Sequence, residues 1–134
     1  MIVHPAVIVH GVADAAAALA PGRPVTLLSA PSAAVFAGCL WWREMIAAAR
    51  ARHPHTESID ILDCGDASGM AMGALRSGVF RLVLRPDAPG WHAVAAIAER
   101  QGGFVLPLPP VALDLAGRNA KRRLHGWLSG PGGR

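Results

Sequence analysis

Lysine is all but missing from this sequence: of its 13 basic side chains only Lys121 is a lysine, and the rest are arginine. An arginine- and alanine-heavy composition reads as codon bias rather than as a nucleic-acid signature, because clustering on one face, not the total, makes an electrostatic footprint. Cysteine is scarce too. The two present, Cys39 and Cys64, exclude a disulfide scaffold and make reduced thiols the expectation. The opening MIVHPAVIVHG has neither a basic stretch nor a small-residue cleavage pattern, so no secretory signal is read and a cytoplasmic location is expected.

Charge of either sign is sparse. Only 16% of the 134 residues are charged, against 52% hydrophobic, and the formal net charge is +4. Such a balance excludes disorder over most of the length. A chain of this size buries roughly two-thirds of its unfolded surface, so one domain over residues 1–129 is expected, with GPGGR at 130–134 as a mobile tail. Pro24 to Trp42 carries no charge at all, about the length a bilayer-crossing helix needs. Pro31 breaks it in the middle and serines and alanines dilute it, so a buried strand followed by a buried helix is the better reading and no membrane span is expected.

The punctuation along the chain is regular. Apolar runs at Ala6–Val9, Val25–Leu28, Ile59–Leu62, Phe80–Leu84 and Phe104–Leu106 alternate with helical patterns. Helices are expected over Ala13–Ala20, from a Ser32 cap through about Arg52, from Asp66 or Ser68 to Ser77, over Gly90–Arg100, and over about Ala116–Leu128. Alternation of this kind argues βαβ units and a parallel sheet, and strands buried on both faces read as continuous apolar runs. The fold expected is a three-layer α/β/α sandwich with a five-stranded, mainly parallel sheet, flavodoxin-like in order (2-1-3-4-5) or, second, Rossmann-like.

Open α/β sheets bind ligands beyond the carboxyl ends of their strands. That rule nominates His10, Ser29, Ser32, Asp63, Cys64, Asp66 and Arg85 as ligand-binding candidates for a small molecule. The densest group lies in ILDCGDASGM, residues 61–70. It is no dinucleotide fingerprint, since Gly65, Gly69 and Gly73 are spaced by four, and no P-loop, since the lone lysine is far away. A Cys-x5-Arg phosphatase loop would need arginine where Met70 stands. A receiver-type phospho-acceptor at Asp63 would need an acidic pair and a lysine where His10 and Pro107 stand. The structural reading is a strand-to-helix turn: Gly65 permits the bend, Asp66 caps the helix, and Gly69 and Gly73 let it approach the sheet.

Cys64 near a helix start could be an activated nucleophile if His10 lay beside it, and strands one and three are neighbours in the flavodoxin-like order. His53, His55 and Glu57 offer metal donors, but their spacing matches no zinc pattern, so neither a metal nor a cofactor is implied. In a continuous helix from Ser32, Val35, Cys39, Trp42, Ile46 and Ala49 form one apolar stripe and Ala34, Gly38, Trp41, Met45 and Ala48 a second. A homo-oligomer interface around Trp41 and Met45 would cover the second; a core helix covered by Trp127 is the other explanation. Arg118, Lys121, Arg122, Arg123 and His125 are the one dense basic cluster. No aromatic interleaves with it, so a solvated helix face is preferred to nucleic-acid binding.

The stretches VTLLSAPSAAVFAGCLWW (25–42) and LDCGDASGMAMGALRSG (62–78) resemble a group of small, uncharacterised bacterial α/β proteins. The resemblance implies no activity for any position. The expected function is a binding or regulatory module acting as a homo-oligomer; the alternatives are a cysteine enzyme using Cys64 with His10, and a nucleic-acid module using the C-terminal helix.

Overall fold

The computed structural model describes residues 4–130, so the expected tail lies, from residue 131 on, outside the described residues. By contacts the chain divides into two compact units. One comprises Met1–Leu28, Met45–Asp60 and Pro110–Arg134, the other Ser29–Glu44 and Ile61–Pro109.

In the first unit, strands β1 (Ala6–Ile8) and β2 (Val25–Leu28) form where the apolar runs predict them, and β2 is buried along its whole length. Between them lies helix α1 (Val12–Leu19), which buries Ala15, Ala16, Ala18 and Leu19. Alanine supplies both helix propensity and a thin face that packs closely. The helix ends at Ala20, and Gly22 (φ 76°) donates to the Leu19 carbonyl at 3.0 Å. Thr56 Oγ1 donates to the same carbonyl at 2.8 Å, so the orphan acceptor at the helix end is satisfied.

A sixth strand corrects the expected count of five. Strand β6 (Ala112–Asp114) lies in the Pro-rich segment expected to lead straight into the last helix, and it pairs parallel with β1, Val7 facing Leu113. Three residues give too short an apolar run to be legible. They become a strand because the edge of β1 offers them a ladder, continued by Leu115 N–H donating to the Ile8 carbonyl at 3.1 Å. The strand also corrects the order: β1 has β2 on one side and β6 on the other, both parallel, so β3 is not its neighbour. The last helix, α6 (Ala120–Leu128), consequently starts later than expected, after Asn119 at φ 60°. Ala120, Leu124 and Leu128 form its buried face, and Trp127 Nε1 donates to the Ala6 carbonyl at 2.7 Å.

The second unit holds the carboxyl half of β3 (Ser58–Asp63), with β4 (Arg81–Val83) and β5 (Phe104–Leu106), all paired parallel in that sequence. Helix α5 (Trp91–Arg100) lies against β5 and against α4 (Ser68–Arg76). Gly103 follows α5 because its α-carbon faces the Phe80 carbonyl with no room for a side chain.

The long helix expected from Ser32 to Arg52 is broken. Helix α2 (Ala33–Phe36) stops after one turn, and α3 (Cys39–Arg52) restarts after Gly38 at φ 92°. Glycine adopts that left-handed backbone without the β-carbon clash that deters other residues. The break rotates one part of the expected stripe away from the other. Trp42, Ile46 and Ala49 are buried as expected, while Val35 is 50% exposed and Phe36 69% exposed.

The chain is thus α/β among the described residues, with six strands and every one of these pairings parallel, consistent with a Rossmann-like or flavodoxin-like fold. Among the described residues no helix is long and apolar enough to cross a membrane.

Candidate functional site

At the carboxyl end of β3 the nominated residues do come together, and they are occupied with one another. Asp63 is 5% exposed. Its Oδ1 accepts the backbone N–H of Gly65 at 2.8 Å and of Ser32 at 3.2 Å. Its own backbone N–H donates to Ser29 Oγ at 2.9 Å, and that hydroxyl donates to the Ala30 carbonyl at 3.0 Å. Arg85 joins through its backbone, donating to the Gly65 carbonyl at 2.7 Å. Its side chain turns outward to Asp87 at 3.5 Å. The group is a clasp: one carboxylate ties the loops after β2 and β3, and one amide ties in the loop after β4.

Gly65 is fixed twice over. Its φ is 60°, and a β-carbon there would collide with the side chain of Ser32. Ser32 itself sits at φ 58° and makes no side-chain cap to α2. Asp66 does not cap α4 either; it is exposed, and α4 begins with no side-chain cap. The nearby polar contact is Ser68 Oγ, which donates to the Pro89 carbonyl.

Gly69 and Gly73 do not serve close approach to the sheet. A β-carbon at Gly69 would meet nothing, and at Gly73 only the Arg76 guanidinium at 3.7 Å. The face that α4 buries is Ala71, Ala74 and Leu75. Each outward glycine costs about 0.8–1.0 kcal/mol of helix stability relative to alanine.

Cys64 is completely buried, and its thiol pKa is pushed up to about 12, first by burial, then by the charge of Asp63, then by Cys39. A thiol so placed stays protonated at neutral pH, which does not suit a nucleophile. The neighbour relation that was to bring His10 beside it is also absent, since the partner of β1 opposite β2 is β6.

His10 has a different partner, one that sequence reasoning missed. Its Nε2 lies 2.6 Å from Asp114 Oδ1, with the two side chains 36% and 46% exposed. Register places them together: Ile8 faces Asp114 across β1 and β6, so both residues stand at carboxyl ends of adjacent parallel strands. Asp114 Oδ1 also accepts the Ala116 N–H at 2.9 Å. Burial alone would raise the Asp114 pKa, but that amide, the hydrogen bond from His10 and its charge outweigh it and hold the carboxyl below its ordinary value. Backbone placement is equally firm, because the His10 N–H donates to Asp14 Oδ2 at 3.0 Å, with Asp14 in the first turn of α1.

The location has a topological meaning. The chain leaves β1 toward β2 on one side and comes back to β6 on the other. The carboxyl ends of β1 and β6 therefore bound a switch point, where open parallel sheets place ligands. An ionised carboxylate only accepts hydrogen bonds, so Nε2 of His10 carries the ring proton and Nδ1 is the acceptor in the neutral ring. The arrangement can hold a hydrogen-bond donor at Nδ1, with the ring fixed by the Asp114 carboxylate at Nε2. The one signal in the sequence was an acid closing the short apolar ALD.

The remaining candidates separate. Met45 is 7% exposed, so it cannot offer an interface, which corrects that expectation. Trp41 is half-buried, its ring 6.0 Å from that of Trp42. On α6, Lys121, Arg122, Arg123 and His125 are exposed above the buried Leu124 and Leu128. Glu57 pairs with His4 at 2.8 Å, and among the described residues no three His, Cys, Asp or Glu side chains gather as a metal ion would need. No family model matches the chain, and no curated protein matches it.

Proposed function

We propose that the chain is a small-molecule-binding module whose ligand sits at the β1–β6 crest and carries an anionic group. The observation that carries this reading is the His10–Asp114 pair, 2.6 Å apart and still partly open to solvent, at the switch point of β1. The crest already holds the Asp114 and Asp14 carboxylates, and the following features offset them for an anionic group. The first N–H groups of α1 have no acceptor within the helix and lie at its positive end, and Gly11 before them has no side chain to obstruct approach. Arg118 follows Asp114 by four residues and is exposed. His10 would contribute Nδ1 to a protonated group of the ligand or, when charged, meet its anionic part.

The test is titration of isotopically labelled protein with inorganic phosphate and with a simple phosphate monoester, followed by NMR. The reading expects saturable shifts of the Gly11, Val12 and Ala13 amides and of the His10 ring, lost in His10→Ala. Native mass spectrometry of the freshly purified protein should show an added mass that His10→Ala lacks. Unmoved amides together with a bare native mass would sink the proposal.

A further inference from the structure

We infer that the chain forms a two-fold homodimer through an apolar strip laid along α2, the start of α3 and α4. Contacts at both ends fix α2 and α3 beside α4. At one end the Ser32 side chain abuts Gly65, just before α4. At the other, Cys39 Sγ donates to Ser77 Oγ at 3.7 Å and Arg43 Nη1 to the Ser77 carbonyl at 3.0 Å, just after α4. Between those ends Val35, Phe36, Leu40 and Met70 all point outward, with Phe36 69% and Leu40 55% exposed. Soluble chains rarely leave a run of large apolar side chains uncovered without using it. Aromatic residues and Met are enriched, and charges depleted, at the centres of protein interfaces.

The charges at the ends of the strip say what covers it. Asp66, exposed, stands before the start of α4, and Arg76, exposed, stands at its end. They are roughly 15 Å apart by helix rise. Arg43, the other basic group at that end, is matched by its neighbour Glu44 at 3.2 Å. An acidic end, an uncharged apolar middle and a basic end make a surface complementary to itself when turned through a two-fold axis. Asp66 of one copy then meets Arg76 of the other, twice, as an isologous interface demands. The outward Gly69 and Gly73 add no bulk between the two copies.

Sedimentation of the purified chain over a concentration series tests this. The wild type is expected to reach twice the 13.9 kDa chain mass at micromolar concentration. Phe36→Glu and Leu40→Glu, at positions already exposed, should leave the circular dichroism spectrum unchanged. Each should weaken dimerisation roughly a hundredfold or more, because each substitution enters the interface twice. Asp66→Arg should weaken it several-fold, and adding Arg76→Glu to the same chain should restore it. A wild type that stays monomeric overturns the inference, as does a dimer indifferent to Phe36→Glu. A dimer weakened by Phe36→Glu but not restored by the charge exchange overturns the two-fold arrangement.

Discussion

Gly65→Ala should cost the protein roughly 2–5 kcal/mol, and the cost should depend on what stands at position 32. Two causes add. The backbone at Gly65 is left-handed, φ 60°, which costs a residue with a β-carbon about 1–2 kcal/mol. The new methyl also lands on the side chain of Ser32, and forcing extra volume into a packed site costs about 1–3 kcal/mol. Ser32→Gly separates the two. It removes the colliding side chain, it suits the φ of 58° that Ser32 strains to adopt, and it leaves the backbone N–H that donates to Asp63 in place. In that background Gly65→Ala should cost only its conformational part, about 1–2 kcal/mol. Urea unfolding of the four chains, followed by tryptophan fluorescence from the buried Trp42, measures the cycle. A coupling of about 1–3 kcal/mol is expected, well above the ~0.5 kcal/mol within which independent sites add. Equal costs in the two backgrounds would refute the claim that these loops are pressed together, and with it the reading of ILDCGDASGM as a clasp.

The clasp makes a second prediction: Asp63→Asn, which keeps an acceptor oxygen but removes the charge, should destabilise by about 1–3 kcal/mol, read by the same unfolding assay. At the crest, the folded-state pKa of Asp114 lies below its ordinary 3.8. Its contribution is therefore complete above that value and lost as pH falls through the folded pKa. The stability gap between wild type and Asp114→Asn should accordingly shrink as pH falls below 3.8; a gap that stays undiminished down that range would contradict the assignment. Finally, iodoacetamide in mildly alkaline buffer should label the partly exposed Cys39 and spare Cys64, whose thiol pKa is about 12. In urea both should react, and prompt labelling of native Cys64 would show that its burial is wrong.

Much of this protein is written locally. The continuous runs AVI, VTLL and FVL, broken by Pro-Gly, Gly-Gly and capping residues, specify alternating strands and helices, because a strand covered on both faces has no polar position to alternate. The turn at Gly65 and the amphipathic spacing of Ala120, Leu124 and Leu128 are equally local facts. What only the tertiary structure decided depends on partners distant in sequence. Ala112–Asp114 is a strand because β1 has an edge to complete, and Gly38 breaks a helix whose residue pattern continues across it. His10 belongs with Asp114 because strand order, invisible to any local window, puts β6 and not β3 beside β1. Propensity and burial act over a few residues, whereas the pairing of two polar side chains a hundred positions apart is set by how the sheet is wound.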